Sequence, residues 1–498
     1  MSAIKKLAGH TLIYGVSSIL GRLINYLLVW LHTDTLKTSE YGVYIDIYAY
    51  VAFFVVIYTF GMETTFFRFV NKEDSKYTYK NAASAVFYFS LTISSLLILF
   101  ADPIASLLGY PGKSQYIIWL AIILFIDALV AIPFARLRQE NKPMRFAFYR
   151  LSNIFIVVFL QIFFLWACPK IHAGEMLTSL KPFVDSFYRP DYGVSYIIIA
   201  NLIANSFYVL FLYKYILQIG FKIHWASFKP MLVYALPILI TGLAGIINEK
   251  LDIIMLGDYL PEGFYSGKSN ADIQGIYGAS VKLSFLMLLG FQAFRYAAEP
   301  FFFSKAKDKD APELFAKVMR YFVIVCVIVF IGVSLNKELI GNVLLRSPEF
   351  RQALFIVPFL LMAKLLFGIY TNLAIWFKLT DKTIYGTYFS VIGATITIVG
   401  NMILIPKLGY IAPAYVGIFT YFIMAIICYY YGQKHYPIPY QIKNALTYIL
   451  SGVIFVVFVS KIHVDREWQD YGIKLFATFL YIVIVYVMEK KNLNAKTV

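Results

Sequence analysis

Residues 273–305 read IQGIYGASVKLSFLMLLGFQAFRYAAEPFFFSK, and most of them are apolar. About 20 consecutive apolar residues are enough to cross a bilayer as an α-helix. The stretch nevertheless carries Lys282, Arg295 and Glu299. Because a charge at bilayer depth costs at least about 2.5–3.5 kcal/mol, such residues normally face protein or a wet cavity. The stretch therefore predicts a membrane-spanning helix with a functional or paired charged face.

The rest of the chain has the same character. Of its 498 residues 60% are hydrophobic and only 14% are charged, and the mean hydropathy is +0.70. Soluble domains are about 25% charged. The composition predicts an all-α polytopic membrane protein with about 14 transmembrane helices. The spans are expected at residues 9–31, 41–67, 82–101, 115–135, 147–168, 193–213, 231–256, 272–303, 318–336, 353–376, 384–405, 409–431, 444–461 and 470–488.

The net charge of +16 is best explained by membrane topology. With a cytoplasmic N-terminus and alternating spans, about 25 Lys and Arg fall on cytoplasmic segments and about 13 on outer ones, as the positive-inside rule requires. Both termini are then cytoplasmic, and membrane lipids rather than nucleic acid are the expected partners. The three cysteines lie in or beside apolar segments, so we expect buried thiols and no metal site.

The chain also repeats itself. Four pairs of segments match at offsets of about 233 to 240 residues. The first pair is EYGVYIDIYAYVAFF and IQGIYGASVKLSFL, and the others start with FFRFVNKED, LLGYPGKSQYII and ARLRQENKPMR in the first copy. Residues 1–222 and 223–436 are thus expected to be two six-helix lobes, and 437–498 two additional helices, 13 and 14, with a tail. An even span count makes the copies parallel repeats, which favours alternating access around a substrate near the midplane.

Charged residues concentrate in the first two spans of each copy. These spans are expected to line the surfaces through which the two lobes face each other. Two open questions concern arginines. Arg295 and Glu299, four residues apart, either neutralise each other or leave the arginine to bind an anion. Arg22 either pairs with Asp46 or Glu63 or binds an anion from a cavity. The sequence does not decide between these readings.

Other intramembrane charges suggest structural roles. Lys250 lies between Glu249 and Asp252 near the outer end of span 7, which favours an outer gate or a structural cluster. Asp127 and Lys364 lie in matching spans and are candidates for a pair at the lobe interface. The sequence contains no GxxxxGK[ST], HExxH or GxSxG motif, so we expect no ATP hydrolysis and no enzyme activity.

The order of motifs resembles a known family. SSILGRLINYLL (17–28) in the first span, GVY (42–44) at the start of the second and PKLGYIAPAYVGIFTYF (406–422) late in the chain are similar to the polysaccharide transporter branch. That branch belongs to the multidrug/oligosaccharidyl-lipid/polysaccharide flippase superfamily, abbreviated MOP. The resemblance covers nearly the whole chain.

The resemblance implies a function. Members alternate between inward-open and outward-open forms and flip undecaprenyl-diphosphate-linked oligosaccharide across the bacterial inner membrane. The diphosphate is expected to contact cavity arginines, which here are Arg22, Arg68 and Arg295. An acidic neighbour such as Glu299 would couple transport to Na+ or H+, and no other cofactor is expected. The partners implied are a polysaccharide polymerase and glycosyltransferases of surface polysaccharide synthesis, such as that of O-antigen in lipopolysaccharide.

Two competing functions remain. A cation-coupled exporter of drugs or small molecules would use the same fold, but an acidic cavity would then be expected to dominate. A polysaccharide polymerase or ligase would need a substantial outer loop that carries catalytic residues. The longest outer loop, about 169–192, is short.

Overall fold

The computed structural model describes residues 26–70, 77–220, 222–306, 308–462 and 464–494, together with Leu20, Gly21, Leu23 and Ile24. Every regular element in this part of the chain is a helix. The predicted all-α membrane fold is confirmed. By its contacts the chain divides into two compact units. The first unit comprises Met1–Asp258 and Gly267–Gly275, and the second comprises Tyr259–Ser266 and Ile276–Val498.

The helices of the first unit include the described end of the first predicted span. In chain order they are α1 (26–35), α2 (Thr38–Thr59), α3 (Met62–Phe69), α4 (Thr78–Leu99), α5 (Ala101–Leu107), α6 (Ser114–Gln139), α7 (Pro143–Ile162), α8 (Cys168–His172), α9 (Lys181–Phe187), α10 (Ser195–Ile216) and α11 (Trp225–Tyr259). A π-helical turn, Phe163–Ala167, joins α7 to α8. Short 3-10 turns occupy Thr178–Leu180 and Pro190–Tyr192.

Helix α12 (Asn270–Lys305) belongs to the first unit up to Gly275 and to the second unit beyond it. The second unit continues with α13 (Ala311–Leu335), α14 (Lys337–Leu344), α15 (Val357–Leu373), α16 (Ile375–Leu379), α17 (Ile384–Leu408), α18 (Ala412–His435), α19 (Ile442–Val459) and α20 (Glu467–Asn494). Its 3-10 turns are Pro348–Arg351, Leu354–Ile356 and Gly409–Ile411.

Twelve helical segments among the described residues are long and apolar enough to cross a membrane. One of them, Ile384–His435, consists of two consecutive helices, α17 and α18. The predicted span at 9–31 lies largely outside the described residues. The count of 14 spans therefore stays a prediction, whereas the multi-pass helical architecture does not depend on it.

Two turns support the internal duplication. Asn141, after α6, has a φ of 53°, and Asp381, after α16, has a φ of 55°. In each turn the following amide donates to the carbonyl four residues before the turn residue, at 3.0 Å and 2.8 Å respectively. Asn and Asp are the side chains that best tolerate this left-handed conformation. The same helix ending thus recurs 240 positions later.

Helices α2 and α12 cross at their N-terminal ends through two glycines. A Cβ placed on Gly42 would overlap the carbonyl oxygen of Ala271, and a Cβ on Gly275 would overlap the carbonyl oxygen of Thr38. The two contacts are reciprocal, because each glycine faces the backbone four residues before the other. Only glycine permits backbones to approach so closely. A hydrogen bond from Thr38 Oγ1 to Asp272 Oδ1, 2.5 Å, lies beside the crossing.

The last helix, α20, contacts the rest of the second unit through charged side chains near both of its ends. Arg320 on α13 donates to Glu489 on α20 at 2.6 Å, and both side chains are nearly buried. Tyr448 on α19 also donates to Glu489. Toward the other end of α20, Lys474 contacts Asp470 of the same helix at 2.6 Å and lies 4.0 Å from Glu338 on α14. Buried ion pairs need good geometry to offset desolvation, and losing one partner is costly, so we expect the Arg320–Glu489 pair to hold α20 against α13.

Candidate functional site

The side chain of Arg295 lies in a small pocket of the second unit. The pocket is formed between α12 and the α15–α16 segment. It encloses about 30 Å³, so it is a contact point rather than a chamber. Its lining residues are Phe291, Phe294, Arg295, Ala298, Phe302, Thr371, Asn372, Ile375 and Lys378. We call it the arginine pocket.

The arginine pocket presents hydrogen-bond donors. Arg295 is exposed and Lys378 is half-buried, so two cationic side chains line one small depression. Asn372 is 5% exposed, and its Nδ2 has no hydrogen-bond partner among the described residues. No acidic side chain is found in the lining among the residues whose side chains are described. This combination favours an anionic ligand, because arginine presents a planar fork to phosphate or carboxylate oxygens and lysine adds a point charge.

Sequence reasoning selected Arg295 but missed Lys378 and Asn372. Lys378 lies in the repeat segment AIWFKLTDK, near the end of a predicted span, where positive-inside topology already accounts for a lysine. Asn372 is uncharged and therefore gave no signal. Two other predicted residues cannot be placed by the structure. Arg22 lies outside the described residues, and of Glu299 only the backbone, within α12, is described.

Glu63 forms an ion pair with a partner that was not predicted. Arg138 Nη2, at the end of α6, donates to Glu63 Oε1 on α3. The Arg138 guanidinium also lies 4.9 Å from the ring centroid of Phe67. Arg68, on the same short helix, is exposed and stacks on the ring of Tyr234 at 4.3 Å. Among the described residues, Glu63 is thus engaged by Arg138, and its pairing with Arg22 stays a prediction.

Asp127 belongs to a chain of buried amides. Asn205 Nδ2 on α10 donates to Asp127 Oδ1 at 2.9 Å, and Asn153 Nδ2 on α7 donates to Asn205 Oδ1 at 2.9 Å. Asn153 and Asn205 are 8% and 9% exposed. The pairing of Asp127 with Lys364, which is half-buried on α15, stays a prediction.

Glu63 and Asp127 both line one cavity of the first unit. It has a volume of about 580 Å³. It is bounded by α2, α3, α6, α7 and α10, and Gly21 also contributes to its wall. Its charged and amide side chains are Glu63, Asp127, Arg138, Arg150 and Asn153. We call it the first-unit cavity.

Asp46 is fully engaged in a structural contact. Its carboxylate, 5% exposed, accepts hydrogen bonds from Tyr110 Oη at 2.7 Å and from Gln274 Nε2 at 2.9 Å. The Gln274 amide also donates to the carbonyl of Ile253 at 2.9 Å. These contacts join α2 to α12 beside the glycine crossing. The geometry favours a structural role for Asp46, and its pairing with Arg22 stays a prediction.

The cluster on α11 is looser. Lys250 Nζ lies 3.9 Å from Glu249 Oε1, and both side chains are more than a third exposed. Asp252 accepts from the following amide, that of Ile253, at 3.0 Å. Exposed ion pairs of this kind contribute about 0–1 kcal/mol to stability, so the Lys250–Glu249 pair is a weak contact. Its role as an outer gate stays a prediction.

No group of three or more His, Cys, Asp or Glu side chains in the described ranges is arranged to hold a metal ion. The three cysteines are buried and unpaired with each other. The coupling ion, Na+ or H+, stays a prediction.

Solved structures share this fold. The lipid II flippase MurJ in an inward closed conformation matches with a TM-score of 0.71 at 14% identity, over 95% of this chain and 99% of that chain. An inward-facing multidrug resistance MATE family transporter of the MOP superfamily matches at 0.60 and 12%, over 89% and 96%. A MOP superfamily transporter from Pyrococcus furiosus, described as having a binding pocket of reverse polarity, matches at 0.57 and 12%, over 85% and 95%.

These identities are low enough that the likeness establishes the fold alone. The fold predicted from the sequence, that of MOP superfamily proteins, is confirmed. No curated protein sequence matches the chain significantly. The sequence profile of a family described as "Polysaccharide biosynthesis protein" matches residues 7–304, more than half of the chain. The chain therefore belongs to the polysaccharide biosynthesis protein family.

Proposed function

We propose that this protein is a flippase for oligosaccharide linked through diphosphate to undecaprenyl lipid. It moves the substrate from the cytoplasmic to the outer leaflet of a bacterial inner membrane by alternating access. The moving parts are the six-helix lobes 1–222 and 223–436, and residues 437–498 supply the additional helices. The observation that carries the proposal is the arginine pocket, an anion site without an acidic residue in its described lining, on helices of a polysaccharide biosynthesis protein.

The physical reason is the cost of moving the diphosphate. A negatively charged headgroup is excluded from hydrocarbon, so a flippase must offer polar partners throughout the passage. Arg295 and Lys378 would contact phosphate oxygens at the mouth of the arginine pocket, and the Nδ2 of Asn372 would donate a further hydrogen bond. The pocket is too small to enclose a diphosphate, which suits a site that must also release its ligand.

Topology and partners follow from the same proposal. The distribution of Lys and Arg supports cytoplasmic N- and C-termini. A lipid-linked substrate made on the cytoplasmic leaflet implies glycosyltransferases that act before the flippase, and a polysaccharide polymerase that acts after it. The product would enter a surface polysaccharide such as O-antigen. Energy would come from a Na+ or H+ gradient, with Glu299 as the candidate coupling group.

The test uses cells that depend on this chain for surface polysaccharide. Arg295→Ala and Lys378→Ala are compared with Lys309→Ala, an exposed lysine of the same unit outside the pocket. Hydrogen bonds to charged groups contribute about 1.5–3 kcal/mol, so we expect Arg295→Ala to slow flipping roughly 10- to 100-fold. The measurement is accumulation of lipid-linked sugar in the cytoplasmic leaflet.

Normal flipping by both pocket variants would remove the arginine pocket from the mechanism. If cells lacking the protein process lipid-linked sugar normally but become sensitive to cationic drugs, the exporter function would be favoured instead.

A further inference from the structure

The first-unit cavity differs from an anion site in its charge. Its described lining has two acidic side chains, Glu63 and Asp127, and two arginines, Arg138 and Arg150, so these four charges cancel when all are ionised. Glu63 and Arg138 form an ion pair, and Asp127 accepts a hydrogen bond from Asn205. A diphosphate or an organic cation would meet as much repulsion as attraction here.

The positions of the arginines add to this picture. The Arg150 guanidinium lies over the ring of Phe134, with its carbon 4.4 Å from the ring centroid, and it is also 5.6 Å from the centroid of Tyr208. Its side chain is nevertheless exposed, so the outer face of the guanidinium is presented to the cavity. Arg138 is held in the same way between Glu63 and Phe67. The guanidinium groups of Arg138 and Arg150 are therefore oriented before a ligand binds.

We propose that the first-unit cavity binds the uncharged sugar part of the lipid-linked substrate, as a mono- or disaccharide portion. This inference rests on the proposed function and names a second subsite within it. A sugar hydroxyl both donates and accepts, so it can bridge a carboxylate and a guanidinium that already neutralise each other. A lipid tail or an apolar drug would instead leave these polar groups without partners, which is costly.

The size of the cavity is consistent with this ligand. Pockets for small ligands have volumes of about 300–1,000 Å³, and this cavity has about 580 Å³. The amide of Asn153 adds a planar group that can both donate and accept, and its Nδ2 is already directed to Asn205. The carbonyl oxygen of Asn153 is the acceptor that we assign to a sugar hydroxyl.

The experiment measures thermal unfolding of the full-length protein in detergent. The probes are a panel of neutral mono- and disaccharides, at about 10 mM each, and separately inorganic pyrophosphate. Ala131→Leu narrows the first-unit cavity without touching its polar groups, because Ala131 lines the wall of α6. Ala131→Ser is the matched control of nearly native size. Glu63→Gln combined with Arg138→Gln removes both charges and keeps the net charge unchanged.

We expect at least one saccharide to raise the unfolding temperature of the wild-type protein and of Ala131→Ser. Ala131→Leu and the double variant should bind that saccharide roughly tenfold more weakly, since pocket contacts discriminate by factors of that order. All variants should keep their response to pyrophosphate.

Two outcomes would overturn the inference. One is a wild-type protein that no saccharide in the panel stabilises. The other is an Ala131→Leu variant that responds to the saccharide as the wild type does, which would place the sugar elsewhere. A wild-type protein that responds to saccharides but not to pyrophosphate would instead count against the diphosphate assignment in the proposed function.

Discussion

The first-unit cavity and the arginine pocket lie at corresponding places in the two sequence copies, yet their charges differ. Arg138 and Lys378 are 240 positions apart, the spacing of the matching turns that follow them. When FFRF (66–69) is aligned with FFFS (301–304), the position of Glu63 corresponds to Ala298. Both Glu63 and Ala298 line their respective pockets. The first copy thus has a carboxylate at this position, whereas the second copy has a methyl group.

This difference suggests how a duplicated fold can bind the two parts of one ligand, its sugar and its diphosphate. Paired charges suit uncharged hydroxyl groups, and cationic side chains suit phosphate. We expect the acidic side chain at this one position to contribute to the separation of the two chemistries. The following predictions test that separation.

The largest effect is expected from placing an acid at the corresponding position, 298, of the second copy. Ala298→Glu would put a carboxylate among Arg295 and Lys378 and repel an anion. We expect pyrophosphate binding to weaken roughly 10- to 100-fold, as when a charge-assisted contact is lost. Ala298 is 7% exposed, so Ala298→Gln is needed as a control of equal size. Equal losses in both variants would mean that crowding, and not charge, caused the effect.

The next effect concerns the buried amide chain of the first unit. Asn205→Leu removes the donor to Asp127 and the acceptor of Asn153. Buried polar groups left without partners cost about 1–3 kcal/mol each, so the unfolding temperature should fall and saccharide stabilisation should be lost. Asn201→Leu is the control, because the hydrogen bond that Asn201 donates among the described residues stays within its own helix, to Ile197 at 2.8 Å. If Asn201→Leu is destabilised as much as Asn205→Leu, the buried amide chain has no special role in stability.

A third change would make the first-unit cavity resemble its counterpart. Glu63→Gln leaves Arg138 without its acidic partner, so the cavity gains a net positive charge. We expect pyrophosphate to bind there about three- to tenfold better than in the wild type, and saccharides less well. Glu63→Asp keeps the charge and should behave like the wild type. The readout is the pyrophosphate response of an Arg295→Ala background, in which the arginine pocket is weakened. No gain in that background would show that charge pairing does not set the specificity.

A smaller effect should come from salt. Raising NaCl from about 0.05 M to 0.5 M screens exposed charges, since the Debye length falls below about 5 Å. Pyrophosphate binding to the exposed Arg295 should weaken a few-fold, whereas saccharide binding in the neutral cavity should not change. Parallel titrations of both probes at each ionic strength provide the measurement. Saccharide binding that weakens as steeply as pyrophosphate binding would remove the distinction.

The smallest effect involves Glu140, in the turn between α6 and α7. Burial of this carboxylate acts to raise its pKa, but hydrogen bonds from Lys142, Tyr215 and Arg136 outweigh burial and hold the pKa below its ordinary 4.5. A lowered carboxylate pKa contributes stability above the unfolded-state pKa, and this stability is lost as the pH falls through the folded-state pKa. The difference in unfolding temperature between wild type and Glu140→Gln should therefore shrink below about pH 5. A difference that grows in acid would refute this.

The helices could be predicted because each is a local pattern. Span 384–405 was expected and Ile384–Leu408 is found, but α13 begins at Ala311 rather than near 318. The extra turns, APELFAK, are polar, and hydropathy registers only the apolar part of a helix. The sequence also indicated that intramembrane charges such as Glu63, Asp127 and Arg295 would face protein or a wet cavity, and each of the three lines a pocket.

The partners of these charges could not be predicted. Glu63 meets Arg138 75 positions away, and Asp127 meets Asn205 78 positions away. Such pairs depend on how helices pack, and no local period encodes them. Arg138 belongs to the basic segment RLRQENKPMR, and the positive-inside rule already explained a cation there. Its contribution to the cavity therefore gave no separate signal in the sequence.

The reciprocal crossing of Gly42 and Gly275 bears on the origin of the chain. Each glycine touches the backbone four residues before its counterpart, which is the pattern of an isologous contact, in which one surface meets itself. A single ancestral copy carrying one such glycine would have met a second identical copy through the same residue. The crossing has the geometry that two identical copies would form about a twofold axis, and a Cβ on either glycine would overlap main chain, where no repacking of side chains can compensate.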